Sequence, residues 1–195
     1  MTMRPAAINK AHRLLAPRVA FLIGTRDAAE QANLIPISNV TSVSTDPQQI
    51  LVAVHRAWKT YDNLNRADGF TVSVPADDQL DGVWKLGARY SRHLFPDRAT
   101  KLRECGMPLI DTPHGPVLAN GLGWMSCLVI QRPDFGGDHG VFVGEVADVH
   151  FNDTAFTDEA EPRGELRPVM QVTGNLFSTT GPSRRIPYGD EDPAL

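Results

Sequence analysis

Residues 33–63, NLIPISNVTSVSTDPQQILVAVHRAWKTYDN, decide how the chain is read. Two apolar segments, Leu34 to Ile37 and Ile50 to Val54, enclose the short polar side chains Ser38, Asn39, Thr41, Ser42 and Ser44, with Val40 among them. Apolar runs of this length between polar punctuation read as strands, and Asp46-Pro47 is a turn signal. Pro36 suits a sheet edge or a bulge better than a central ladder position. Small polar residues with free backbone amides between strands make a surface for a flat, heteroatom-rich ligand. Past the second strand, Lys59-Thr60-Tyr61-Asp62-Asn63 reads as a helix start, with Thr60 as the cap and Asn63 in the first turn. A capped helix start beside a lysine attracts phosphate.

The neighbouring sequence reads as a barrel around that stretch. Val19 to Ile23 is a continuous apolar run stopped by Gly24, the pattern of a buried strand, and Arg26 to Ala32 turns it back. After the Lys59 helix, which Asp68-Gly69 ends, Phe70 to Val74 alternates apolar and small polar residues as a half-buried antiparallel strand does. Leu80, Val83, Trp84 and Leu86 lie on one face of a helix that Gly87 closes. Residues 91–114 form a long connection rich in Arg, Lys and Pro, with a helical piece near Arg98 to Cys105; that length indicates a lid or a dimer arm. Arg89, Arg92 and Arg98 within or beside it read as solvated charges. Trp124 to Ile130 and Val141 to Val149 form a hairpin across the Gly-rich turn 133–138, and Pro168 to Val172 supplies a last strand. Residues 1–16 are an N-terminal extension with a short helix around Ile8 to Leu15, and 181–195 a flexible tail. Many short strands and few helices point to one mainly β domain, an antiparallel barrel with peripheral helices.

At 195 residues and a formal charge of −4, the chain is long enough for a substantial core and lacks the clustered basic residues of a nucleic-acid or membrane-surface binder. Its two cysteines, Cys105 and Cys127, have no metal-ligand or CxxC spacing and fit a reducing cytoplasm as ordinary thiols. The six histidines share no close metal spacing. No apolar run approaches a membrane span or a signal peptide.

Gly121-Leu122-Gly123 begins like a dinucleotide fingerprint but precedes a strand, so it is rejected. No GxSxG, GxxxxGK[ST] or HExxH motif occurs. Taken singly, Ser38 to Ser44 is a polar loop and Lys59 to Asn63 an ordinary helix start. Side by side they suit a ligand with a planar polar ring at one end and a phosphate at the other, as in FMN. His139 opens the strand GVFVGEV; Trp58, Trp84 and Trp124 read as core or interface aromatics.

PRVAFLIGT, NLIPISNVTSVSTDP, WKTYDNL with GFTVSV, and GGDHGVFVGEV follow one another as in the flavin reductase-like family, the FMN-binding split-barrel proteins that include flavoredoxin and the reductase components of two-component monooxygenases. The chain resembles that family from Pro17 to about Phe177. The resemblance implies a six-stranded antiparallel split barrel, a homodimer, and FMN near the subunit interface. It implies that Ser38, Asn39, Val40, Thr41, Ser42 and Ser44 run along the isoalloxazine. His55, Lys59, Thr60 and Asn63 would lie about the ribityl phosphate, and His139 on the nicotinamide side. Two departures stand out: the acidic residue usual between the lysine and the threonine is absent, and Gly174 to Phe177 replaces a segment that often carries tyrosine. The implied activity is NADH- or NADPH-dependent reduction of FMN, with a monooxygenase as a partner for the reduced flavin. The alternatives are a tightly bound FMN that passes electrons to a disulfide, ferric complex or protein, and a flavin- or haem-binding module without turnover.

Overall fold

The computed structural model describes residues 2–87 and 94–184. Arg89, Arg92, the first residues of the 91–114 connection and most of the 181–195 tail lie outside the described residues. The strands are β1 (Arg18–Val19), β2 (Phe21–Arg26), β3 (Ala32–Ile37), β4 (Val40–Thr45), β5 (Gln48–His55), β6 (Gly69–Val74), β7 (Leu109–Thr112), β8 (Gly115–Leu118), β9 (Gly123–Gln131), β10 (His139–Phe151), β11 (Met170–Thr173) and β12 (Leu176–Ser178). The helices are α1 (Lys59–Leu64), α2 (Leu80–Leu86) and α3 (Arg98–Glu104), with a 3₁₀ helix over Ile8–Leu15. The chain is mainly β and its ladders are antiparallel, as the alternation implied.

The main sheet has seven strands where six were expected, in the order β3-β2-β6-β9-β10-β5-β4. Its two edge strands, β3 and β4, are joined in sequence by only Ser38 and Asn39. Six strand spacings would separate the edges of a flat sheet by roughly 29 Å, whereas the link from Ile37 to Val40 reaches at most about 11 Å. The sheet therefore curls until its edges meet, yet no ladder joins β3 to β4. The result is a curled, unclosed barrel whose seam is Ser38-Asn39. β4 pairs with β5 through a bulge between Ser42 and Ser44.

Curling creates an inside and an outside. Ile23, Ile35, Ile37, Ile50, Val52, Val54, Phe70, Val72 and Phe142 fill the interior. A second core, with Leu22, Leu34, Val83, Leu86, Met107, Leu118 and Val169, lies between the outer face of β2 and β3 and the covering segments α2, α3 and β8. β2 is buried on both faces, which is why it reads as a continuous apolar run.

Several expectations are corrected here. Gly24 does not stop β2 but lies within it, because a Cβ there would come 2.2 Å from Thr71 Oγ1 and 2.3 Å from the Pro116 carbonyl. β6 is buried on both faces, not half-buried: Thr71 Oγ1 donates to Pro116 O (2.9 Å) and Ser73 Oγ accepts from Leu118 N (3.1 Å), so β8 covers its polar side. Ser38 to Ser44 is not a loop, since most of it is edge strand β4. The helical piece expected near Arg98 to Cys105 is α3, but the rest of the connection is not irregular: it enters a β7–β8 hairpin that runs on to Leu118. Arg98 is no solvated charge. It pairs with Asp27 and holds that carboxyl near pH 2, well below its ordinary 3.8. No helix among the described residues is long and apolar enough to cross a membrane.

Candidate functional site

A cleft of about 340 Å³ opens at the seam. Its lining includes Ser38 and Asn39, Arg18 from β1, Ala53 from β5, Gln171 from β11, and the aromatic rings of Trp58, Trp84 and Phe177. That volume and this mixture of apolar walls with a few directed polar groups are those of small-molecule sites. Ser38 Oγ bonds to Gln171 Oε1 (3.3 Å), and Asn39 Oδ1 accepts from Arg18 Nη1 (2.7 Å). The backbone of Asn39 is also fixed, its carbonyl accepting from Ala53 N (2.9 Å). Arg18 Nε is buried and without a hydrogen-bond partner.

Val40, Thr41, Ser42 and Ser44 continue away from the cleft along β4. Val40 packs on the interior core. The hydroxyls of Thr41 and Ser42 donate to the carbonyls of Ser42 and Ser44, and Gln48 donates to Ser42 Oγ (2.9 Å). As an edge strand, β4 keeps backbone groups unpaired on one side.

His55 and His139 face each other across the β5–β10 ladder, with rings 5.3 Å apart and edge-on. Trp58 joins them to the cleft, since it lines the cleft and lies 5.7 Å from the His55 ring. Ala57 N donates to His55 Nδ1 (3.1 Å), which leaves the His55 proton on Nε2. His139 Nδ1 meets the Asp138 carboxylate at 2.7 Å, and that bond lowers the Asp138 pKa. Arg56 clips the turn that carries His139: Nε donates to Gly137 O (2.9 Å), Nη1 to Tyr61 Oη (3.0 Å), and Nη2 pairs with Asp134. Gly140 lets the chain pass Tyr61, whose Cε2 would sit 2.2 Å from any Cβ there.

The Lys59 segment divides. Lys59 is exposed, whereas Thr60 and Asn63 are buried. Asn33 Nδ2 donates to Thr60 Oγ1 (2.9 Å) and Asn63 Nδ2 to Thr25 Oγ1 (2.9 Å), a closed network beneath the helix. The residue capping α1 is Trp58 rather than Thr60, and it makes no side-chain cap bond. Two residues decide this: α1 begins at Lys59 rather than Tyr61, so Thr60 is already inside the first turn and is buried.

Both cysteines are buried, and burial pushes the Cys127 thiol up to about 12, so it stays protonated. Among the described residues no group of His, Cys, Asp and Glu could hold a metal. Arg18, Gln171, Arg56 and the cleft-lining role of Trp58 were not singled out from the sequence. No local sequence signal sets Arg18 apart, since β1 is only Arg18 and Val19, both part-buried.

A curled antiparallel sheet with a mainly apolar cleft at its seam places the chain in the class of open antiparallel barrels. The chain belongs to the flavin reductase like domain family, which it matches over residues 13–175. It is 29% identical over 156 residues to an NADH-dependent FMN reductase of Streptomyces nodosus subsp. asukaensis, covering 80% of each chain. It is 30% identical over 112 residues to the reductase component of a 4-nitrophenol 4-monooxygenase/4-nitrocatechol 2-monooxygenase of Rhodococcus opacus, covering 57% of this chain and 55% of that one. An FMN-binding protein from Thermus thermophilus has the same fold, with a TM-score of 0.78 at 22% identity over 96% of this chain and 99% of that one.

The cleft's residues fit a flavin. Trp58, Trp84 and Phe177 offer flat apolar walls, Ser38 and Asn39 offer polar atoms, and the orphaned Arg18 Nε requires an acceptor that the protein does not supply.

Proposed function

We propose that this chain is an NAD(P)H-dependent flavin reductase that acts on FMN, as a homodimer in the cytoplasm, and supplies reduced flavin to a partner monooxygenase. The observation that carries the reading is the seam cleft, with Ser38, Asn39 and an unsatisfied Arg18 nitrogen, in a chain of the flavin reductase-like family. When bound, FMN supplies the redox chemistry, taking a hydride from the nicotinamide. The protein's part is alignment and charge.

Ser38 and Asn39 orient the ring. Because the Thr41 and Ser42 hydroxyls already donate to the chain's own carbonyls, the run Val40, Thr41, Ser42 and Ser44 contributes the free backbone edge of β4. Lys59, exposed at the start of α1, meets the phosphate, with His55 beside it. Thr60 and Asn63 act from beneath by fixing that helix start. His139, held by Asp138 and by the Arg56 clip, seats the nicotinamide. None of these residues needs to act as an acid or base for hydride transfer.

NADH and NADPH are each mixed with the protein and FMN, and nicotinamide absorbance is followed. The reading requires flavin-dependent oxidation of at least one; its absence with both leaves only a binding module. Fluorescence titration then tests the phosphate end. Lys59→Ala should weaken FMN by about 1.5 to 3 kcal/mol, the worth of a charge-assisted contact, and leave riboflavin unchanged.

A further inference from the structure

Arg18 stands apart from Arg13, the other guanidinium of the cleft. Arg13 lines the same mouth but is exposed, so water screens its charge. Arg18 is partly buried, its Nε is wholly buried, and that atom has no acceptor in the protein. Nor can the side chain swing away freely: Nη1 is tied to Asn39 Oδ1 at 2.7 Å, and β1 is paired with β11 at Arg18 and Gln171. A guanidinium stays charged at any working pH. A buried charged donor left without a partner is costly, so this nitrogen is built to meet an acceptor that arrives with the ligand.

We propose that Arg18 binds the pyrimidine edge of the flavin ring and selects for its reduced, negatively charged form. The assignment rests on the flavin reading above. It follows from position, because Arg18 is tethered to Asn39, which with Ser38 forms the seam at the ring end, while the phosphate end lies past Trp58 at Lys59. Reduction by a hydride adds negative charge that delocalises over the ring's N1 and C2 oxygen. A fixed cation in a low-dielectric cleft stabilises that charge more than it stabilises the neutral oxidised ring. Arg18 is thus a cofactor-contacting residue that sets how strongly the site prefers reduced to oxidised flavin.

Binding of oxidised FMN, anaerobically reduced FMN and riboflavin is measured for the wild type, Arg18→Met and Arg18→Lys, with the thermal midpoint of each flavin-free protein as a check on folding. Arg18→Met should lose about tenfold more affinity for reduced than for oxidised FMN, which lowers the potential of the bound flavin by about 30 mV for a two-electron couple. Arg18→Lys should recover most of that preference by retaining the charge. Equal losses for both redox forms overturn the assignment, as does a loss confined to FMN with riboflavin unaffected, which would place the guanidinium at the phosphate. A flavin-free midpoint that falls in both variants while each keeps the wild-type preference for reduced over oxidised FMN makes Arg18 structural and also overturns it. A wild type that binds no flavin removes the flavin reading and this assignment together, whereas a flavin-binding wild type with an indifferent Arg18→Met removes the assignment alone.

Discussion

The stretch 33–63 builds two polar regions from nearly the same residue types, and they behave in opposite ways. Asn33, Thr60 and Asn63, with Thr25, form a sealed network in which each side chain is hydrogen-bonded within the protein. Ser38 and Asn39, with Arg18, form an open one at the seam, where a charged nitrogen still lacks a partner. Amide and hydroxyl side chains are therefore poor predictors of a ligand by themselves. What separates a binding surface from a structural network is whether donors remain after the protein has satisfied its own.

The sharpest way to break the comparison is to damage the sealed network. Asn63→Ala removes the bond to Thr25 and should cost about 2 to 3 kcal/mol of stability, lowering Tm by roughly 5 to 10 °C. Because Asn63 acts only through the helix start, the folded fraction should lose no more FMN affinity than Lys59→Ala does, and a larger loss would show that Asn63 touches the ligand directly. At the open region the pattern should invert. Asn39→Ala should weaken FMN about tenfold, or 1.4 kcal/mol, with Tm within a few degrees of wild type. Arg56→Ala should loosen the turn bearing His139 and raise the KM for the nicotinamide about fivefold while FMN affinity holds; a change in FMN affinity instead would tie the turn to the ring. The smallest effect belongs to Asp27→Asn, just past the end of β2. Because Arg98 holds the folded Asp27 carboxyl near pH 2, below its ordinary 3.8, the pair stabilises the fold above that ordinary value and the benefit fades as pH falls toward 2. A modest Tm deficit of the variant at pH 7 should therefore close in acid.

Much of the fold was legible in the chain. β5, β9 and β10 carry the apolar patterns of a ladder, and the Gly-rich turn at 133–138 announced their hairpin partner. β4 was missed as a strand because an edge strand facing solvent has no need of apolar residues, and Thr41, Ser42 and Ser44 look like a loop. The β7–β8 hairpin was hidden by Pro108, Pro113 and Pro116, which read as irregular chain. Ser38 and Asn39, which line the cleft, were visible from residue type and family order, whereas His55, Lys59 and His139 do not line it. The inward turn of Thr60 and Asn63 was not visible, since it depends on α1 beginning two residues earlier than Thr60 as cap implies. Arg18 was invisible for a different reason. Its environment is made by β11 and Asn39, and no local pattern encodes the isolation of a single nitrogen.

The bulge between Ser42 and Ser44 has a bearing on solubility. An exposed sheet edge can recruit a strand from another molecule and seed aggregates. The β3 edge is covered, with Asn33, Leu34, Ile35 and Ile37 buried, whereas β4 is largely exposed, and there the bulge interrupts the regular row of donors and acceptors. The unclosed barrel thus presents one free rim, and the bulge makes that rim a poor template for fibril growth.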